Sequence, residues 1–246
     1  MNKLDHLKEF KEILDDYKLP VEAVNFLNKT KFVILVGPSS SGRNSIINQL
    51  LKFGDYHYVV SDTTRKPRKN NGILELNGRE YWFRKETDML ADLKASKFLE
   101  AAIIHNQQVS GISLRELELA SNQKKIAIDE IEVVGADNIH KVAPKAIFLF
   151  VVPPSFEEWM VRMNIRGELP QDETIRRLDS AVSEIAMALK RDYYYFIVND
   201  TFVKTAQKVD YLAKSQKAFK ESDSDARIIA RQLLKDTKKY LKQFIK

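Results

Sequence analysis

Nine residues, Gly37-Pro38-Ser39-Ser40-Ser41-Gly42-Arg43-Asn44-Ser45, constrain this chain more than any others. An apolar run precedes them, Phe32-Val33-Ile34-Leu35-Val36, and an apolar-periodic segment follows, Ile46-Ile47-Asn48-Gln49-Leu50-Leu51. Strand, tight glycine-bounded loop and helix is the setting of a phosphate-binding loop. There, backbone N–H groups converge on an anion and the helix N-terminus adds partial positive charge. The spacing matches Gly-x-x-x-x-Gly-Lys-Ser/Thr, with two departures. Arg43 stands where lysine reaches the terminal phosphates, and Asn44 stands where a hydroxyl holds magnesium. On this stretch alone, a phosphate site and a Gly-Ser-rich turn without a ligand remain equal alternatives.

Residues 2–28 read as two short helices. Leu4, Leu7, Phe10 and Leu14 fall at helical spacing, Leu19-Pro20 breaks the pattern, and 21–27 resumes it. They are expected as a helical addition over 1–30, with no chemistry of their own. Past the loop's helix, Ser61-Asp62-Thr63-Thr64-Arg65-Lys66-Pro67-Arg68 is polar and basic. Two arginines three apart beside threonine hydroxyls suit a bidentate grip on a second phosphate; a solvated basic loop is the plainer alternative. In Glu75-Leu76-Asn77-Gly78-Arg79-Glu80-Tyr81-Trp82-Phe83, the Asn77-Gly78 pair is a hairpin-turn signal.

Residues 125–129 form a short apolar strand ending in acids, and 146–152 is fully apolar, as expected of a central strand in a parallel sheet. Pro153-Pro154-Ser155 ends that strand and caps a helix carrying Trp159 and Met160. Residues 193–199 make a further apolar strand. Apolar strands alternating with helical patterns predict an α/β fold, a parallel sheet with helices on both faces. Arg162, Arg166, Arg176 and Arg177, broken by Gly167, Glu168, Pro170, Asp172 and Glu173, suit a lid closing over transferring phosphates. Arginines there neutralise charge developing on a phosphoryl group; a salt-bridged surface helix is the alternative.

The formal charge of +6 is uneven, because residues 202–246 hold 12 bases against 5 acids while the remainder holds 28 against 29. The body is neutral and the tail basic. Residues 222–246 read as an amphipathic helix capped by Ser222 or Asp223, with Ile229, Leu233, Tyr240 and Phe244 on one face. Lys235, Lys238, Lys239 and Lys242 surround that stripe. Packing against the domain is the favoured expectation. Contact with nucleic acid or an anionic membrane is the alternative, without an aromatic-rich binding motif behind it.

No cysteine occurs, which excludes disulfides, thiolate metal sites and cysteine nucleophiles and suits a reducing cytoplasm. The first residues show no basic region followed by an apolar core, so no signal peptide is expected. No apolar run approaches membrane-spanning length. A cytoplasmic protein is the simplest expectation.

With these blocks in order, the chain resembles the guanylate kinase family over roughly 31–213. The resemblance rests on Thr63-Thr64-Arg65-Lys66-Pro67-Arg68, the block from Glu75 to Phe83, and Phe98-Leu99-Glu100. Pro153-Pro154-Ser155, Arg166-Gly167, Arg176-Arg177-Leu178 and Ile197-Val198-Asn199-Asp200 follow in register. It implies a P-loop core, a small inserted domain for the nucleoside monophosphate over about 57–115, and a lid over about 163–177. N- and C-terminal helical additions, 1–30 and 214–246, complete the expected organisation.

The reaction implied is transfer of the γ-phosphoryl group of ATP to GMP with Mg2+. Gly37, Ser39, Ser40, Ser41, Gly42, Arg43, Asn44 and Ser45 would surround the ATP phosphates, with Asn44 or Ser45 toward the metal. By matching position, Arg65, Arg68 and Tyr81 are the expected ligands of the GMP phosphate. Ser61 and Glu100, with Glu130, are the expected remaining GMP contacts, and Arg43, Arg162, Arg166 and Arg177 the expected catalytic arginines.

The departures from the family pattern are specific. Arg43 and Asn44 alter the loop, and Ser40 stands at a usual glycine. Ser110 and Ile112 stand where a phosphate-contacting tyrosine and a base-contacting hydroxyl residue belong. Glu130 and Glu132 replace two aspartates, unless Asp129 is the match, and four extra residues separate Arg68 from Glu75. An ATP-dependent nucleoside monophosphate kinase is the favoured expectation. The alternative is a catalytically impaired module that binds a nucleotide or a phosphorylated partner, and a kinase with a changed base or donor preference is a third.

Overall fold

The structure is a computed structural model, and residues 4–70, 72–165, 169–215 and 220–244 are described. In chain order they form α1 (Leu7–Asp15), α2 (Val21–Leu27), β1 (Phe32–Val36), α3 (Arg43–Leu51), β2 (Tyr56–Tyr58), β3 (Asp62–Thr63), β4 (Lys69–Asn70) and β5 (Ile73–Leu74). Next come β6 (Trp82–Phe83), α4 (Glu86–Lys94), β7 (Phe98–Ile104), β8 (Gln108–Ser113), α5 (Leu114–Asn122), β9 (Ile126–Glu130) and α6 (Val133–Val142). The chain continues through β10 (Ile147–Val152), α7 (Phe156–Asn164), α8 (Gln171–Ala188), β11 (Tyr194–Val198), α9 (Phe202–Ser215) and α10 (Lys220–Leu241).

These elements fall into two compact units. The first joins Met1–Lys31, His57–Ala127 and Asn138–Lys145. Its four-stranded sheet runs β6-β3-β8-β7, with β8 antiparallel to both β7 and β3 and β3 parallel to β6. The residues expected as an N-terminal helical addition share this unit's core. Leu4 and Phe10 pack with Met89, Leu90, Leu93, Phe98 and Val109. The Tyr17 hydroxyl donates to Phe98 O at 2.7 Å and accepts from Phe98 N–H at 2.9 Å, tying α1 to the start of β7. The apolar spacing of 4–14 is thus a core-facing stripe.

The hairpin expected at Asn77-Gly78 is corrected. Gly78 takes φ 79° and its N–H bonds to Tyr81 O at 2.9 Å. The strand that follows, β6, pairs parallel to β3 rather than folding back. The hairpin lies instead at β4–β5, Lys69–Asn70 against Ile73–Leu74, in the segment between Arg68 and Glu75 that holds the four extra residues.

The second unit joins Phe32–Tyr56, Ile128–Asp137 and Ala146–Lys246. The five-stranded sheet runs β11-β10-β1-β9-β2, with β9 and β2 at points where the chain passes between units. β1 pairs parallel to β10 and β10 parallel to β11, with Val36 opposite Phe150 and Phe150 opposite Phe196. Every residue of β1 is buried, as continuous apolar runs in parallel sheets require. Ser155 caps α7 as expected, its Oγ accepting from Glu158 N–H at 3.2 Å.

Strand β11 is an edge, and α10 seals it. Asp223 accepts from Phe196 N–H at 2.7 Å, Arg227 donates to Tyr194 O, and the Arg227 guanidinium lies 4.4 Å from the Phe196 ring centroid. Asp223 is therefore a strand partner rather than the helix cap expected, and the side chain of Ser222 lies outside the described residues. The buried seam is Ala226, Ala230, Leu233 and Thr237; of the stripe predicted, Leu233 lies in it, while Ile229, Tyr240 and Phe244 are half-buried. Small side chains let the helix approach the strand closely enough for these bonds. Asp223→Ala orphans the Phe196 amide and is expected to lower unfolding stability by about 1–3 kcal/mol in urea titration. An unchanged midpoint and slope would count against the sealing role.

Candidate active site

The loop lies in the second unit and runs from the end of β1 into α3. Gly37 takes φ 148°, and a Cβ there would sit 2.3 Å from Val151 O. Gly42 takes φ 95°, and a Cβ there would sit 2.2 Å from the Asn199 side-chain nitrogen. Both glycines are required by conformation and by space. Ser40, at a usual glycine position, also takes a left-handed φ of 63°, which costs a non-glycine residue about 1–2 kcal/mol.

Two side chains hold the loop from below. The buried Trp159 indole donates to Ser39 O at 2.8 Å, and the Asn199 amide donates to Ser41 O at 2.8 Å. The first α-helical bond of α3 runs from Ile46 N–H to Gly42 O at 3.1 Å, so the amides of Arg43, Asn44 and Ser45 have no carbonyl within the helix to meet. Preorganised donors at a helix N-terminus suit a polyphosphate.

Ser39, Ser40, Gly42, Arg43, Asn44 and Ser45 line a cavity of ≈ 760 Å³, together with Glu130, Arg162, Arg177, Asn199 and Phe202. Gly37 and the fully buried Ser41 shape the loop from beneath. Arg43 Nε lies 3.7 Å from Glu130 Oε2, and its Nη1 donates to Ile131 O at 3.3 Å. Burial pushes the Glu130 carboxyl above its ordinary value, countered by the Arg43 charge. Glu130, expected as a GMP contact, thus meets Arg43 of the loop.

Arg162 is held by Glu158 at 3.0 Å and donates to the carbonyls of Asn199 at 2.8 Å and Asp200 at 3.0 Å. Arg177 donates to Glu173 at 2.6 Å, as does Arg176 at 2.8 Å. Arg166 lies outside the described residues, as do Gly167 and Glu168.

Among the described residues no group of three or more His, Cys, Asp or Glu is arranged to hold a metal ion unaided. The loop residues nevertheless fit a metal that arrives with a triphosphate. Asn44 Oδ1 and Ser45 Oγ are hard oxygen donors on the cavity wall. Glu130 Oε2 is buried without a hydrogen-bond partner, an acceptor suited to a metal-bound water. Mg2+ asks for few protein oxygens beyond phosphate and water.

The other expected site residues lie in the first unit. Arg65 forks onto Glu75, at 2.7 Å and 3.1 Å, and donates to Lys66 O at 2.9 Å. Its guanidinium lies 5.0 Å from the Tyr81 ring centroid and 5.6 Å from that of Phe83, within cation–π range. Glu75 also accepts from Arg68 N–H at 2.7 Å, while the Arg68 side chain is exposed. The structure therefore brings Arg65 and Tyr81 together. Ser61 is half-buried with its carbonyl bonded to Trp82 N–H at 2.9 Å.

Glu100 is half-buried on β7, and burial pushes its carboxyl up to about 7. On the neighbouring β8, Ser110 Oγ bonds Thr63 Oγ1 at 2.8 Å and Ile112 is fully buried. Asp62 and Glu116 fasten this floor: Asp62 to Arg84 at 2.6 Å and Arg115 at 3.2 Å, Glu116 to Trp82 at 2.9 Å and His57 at 3.1 Å.

The family model for guanylate kinase matches residues 29–216. A guanylate kinase from Clostridioides difficile is 33% identical over 193 residues, covering 78% of this chain and 91% of that protein. One from Trichormus variabilis is 35% identical over 182 residues, covering 73% and 87%. The crystal structure of guanylate kinase from Anaplasma phagocytophilum aligns with a TM-score of 0.55 at 24% identity, covering 77% of this chain and 87% of that one.

Proposed function

We propose that this chain, which belongs to the guanylate kinase family, transfers the γ-phosphoryl group of ATP to GMP. The observation that carries the reading is the loop, in which three amides without helical partners open onto a cavity that also holds Arg43, Arg162 and Arg177. Phosphoryl transfer asks for positioning and charge neutralisation more than for an acid–base group. The α3 amides would hold the ATP phosphates and the three arginines, with Arg166, would neutralise the charge in flight. Asn44 or Ser45 would hold Mg2+, which when bound supplies charge neutralisation along the triphosphate.

Arg65, Arg68 and Tyr81 would take the GMP phosphate, and Ser61 and Glu100 the guanine edge. A cytoplasmic location accords with this chemistry, and no helix among the described residues is long and apolar enough to cross a membrane. A coupled ADP-release assay with ATP, Mg2+ and each nucleoside monophosphate tests the reading. Turnover with GMP supports it. No turnover with any acceptor overturns it in favour of a module that binds a phosphorylated partner.

Glu100 gives the reading a pH signature. Guanine presents N–H donors, so binding favours the carboxylate over the neutral acid raised to about 7. GMP affinity should therefore fall as pH drops through that value, by about tenfold between pH 8 and 6. Isothermal titration checks it, with Glu100→Gln expected to keep only the slope contributed by the GMP phosphate. The same slope in both proteins would remove Glu100 from the base contact.

A further inference from the structure

Arg43, one of the two loop positions that depart from the phosphate-loop pattern, meets a buried carboxylate. Its Nε faces Glu130 Oε2 at 3.7 Å, and its Nη1 donates to Ile131 O at 3.3 Å. Glu130 ends β9, Arg43 and Asn44 open α3, and all three line the cavity. We propose that Glu130 is the positioning residue of the donor site, orienting Arg43 toward the triphosphate. The inference rests on the donor-site reading above.

The chemistry of the arginine gives the reason. A guanidinium carries five N–H donors in a planar fork. Glu130 faces its Nε and the Ile131 carbonyl takes its Nη1, which leaves Nη2 for phosphate oxygens. Lysine, a compact charge on a flexible stem, needs no such anchor. Arginine is longer and loses its freedom before the ligand arrives if it is already tethered. Glu184 also feels the Arg43 charge, but it does not line the cavity.

The test is equilibrium binding of a fluorescent N-methylanthraniloyl ATP, with and without Mg2+, in two backgrounds. Glu130→Ala and the gentler Glu130→Gln are made in the natural chain and in Arg43→Lys/Asn44→Ser, with folding checked by circular dichroism. In the natural background both should weaken Mg2+-dependent binding, by about tenfold for alanine. In the Lys/Ser background, where no guanidinium needs orienting, the loss should be about threefold or less. Equal losses in the two backgrounds, or no loss in either, overturn the inference and leave the donor site intact. A folded natural chain that fails to bind the nucleotide removes the donor-site reading itself, and this inference with it.

Discussion

Gly42→Ala should lower kcat/KM for ATP by at least about a hundredfold, the scale of losing oriented phosphate donors. The added Cβ would lie 2.2 Å from the Asn199 nitrogen, and the backbone sits at φ 95°, where an L side chain is strained. Asn199 has little room to yield, because its amide donates to Ser41 O at 2.8 Å, between the two glycines of the loop. Either the loop moves or that bond breaks, and the α3 amides lose their aim in both cases. The stability loss should be smaller, about 1–3 kcal/mol, so folded protein remains to be assayed. Retention of wild-type kcat/KM would mean that the loop does not hold the donor.

Arg65→Ala should lower kcat/KM for GMP by about 10²–10³-fold. Its second consequence is structural. Glu75 is nearly buried and takes both guanidinium nitrogens of Arg65 as well as the Arg68 amide. Removing the cation strands that carboxylate, at a cost of about 3 kcal/mol. Arg65→Lys should recover part of the stability but little of the activity, since an ammonium cannot fork onto Glu75 and a phosphate together. Arg68→Ala separates the two effects: its side chain is exposed, so GMP turnover should fall while the unfolding midpoint holds. Steady-state kinetics and urea titration on the same preparations read both quantities.

Much of this arrangement is legible in the chain because it depends on local pattern. The apolar run at 32–36 became a strand buried throughout, the Ser155 cap formed, and Ile147–Val152 of the run at 146–152 became a strand flanked by β1 and β11. The arginine pair and Tyr81 were legible as a block, and Arg65 does meet the Tyr81 ring.

What was missed depends on residues distant in sequence. Trp159 and Asn199 reach back 120 and 158 positions to hold the loop carbonyls, and nothing in their own neighbourhoods marks them for it. Glu75 falls in a recognised block, yet its grip on Arg65 spans an insertion that gave no spacing to read. Asp223 resembled a helix cap because caps and strand partners use the same short carboxylate. Glu130 has a place in the family pattern, whereas the role proposed for it here follows from Arg43, which the pattern does not contain.

The measurement that bears most directly on phosphoryl transfer is a single-turnover experiment with γ-³²P-labelled ATP, Mg2+ and GMP, its products separated by chromatography. Label appearing in GDP, at a rate that collapses with Arg65→Ala, is the predicted result. Label that stays in ATP, or leaves only as inorganic phosphate, would contradict it.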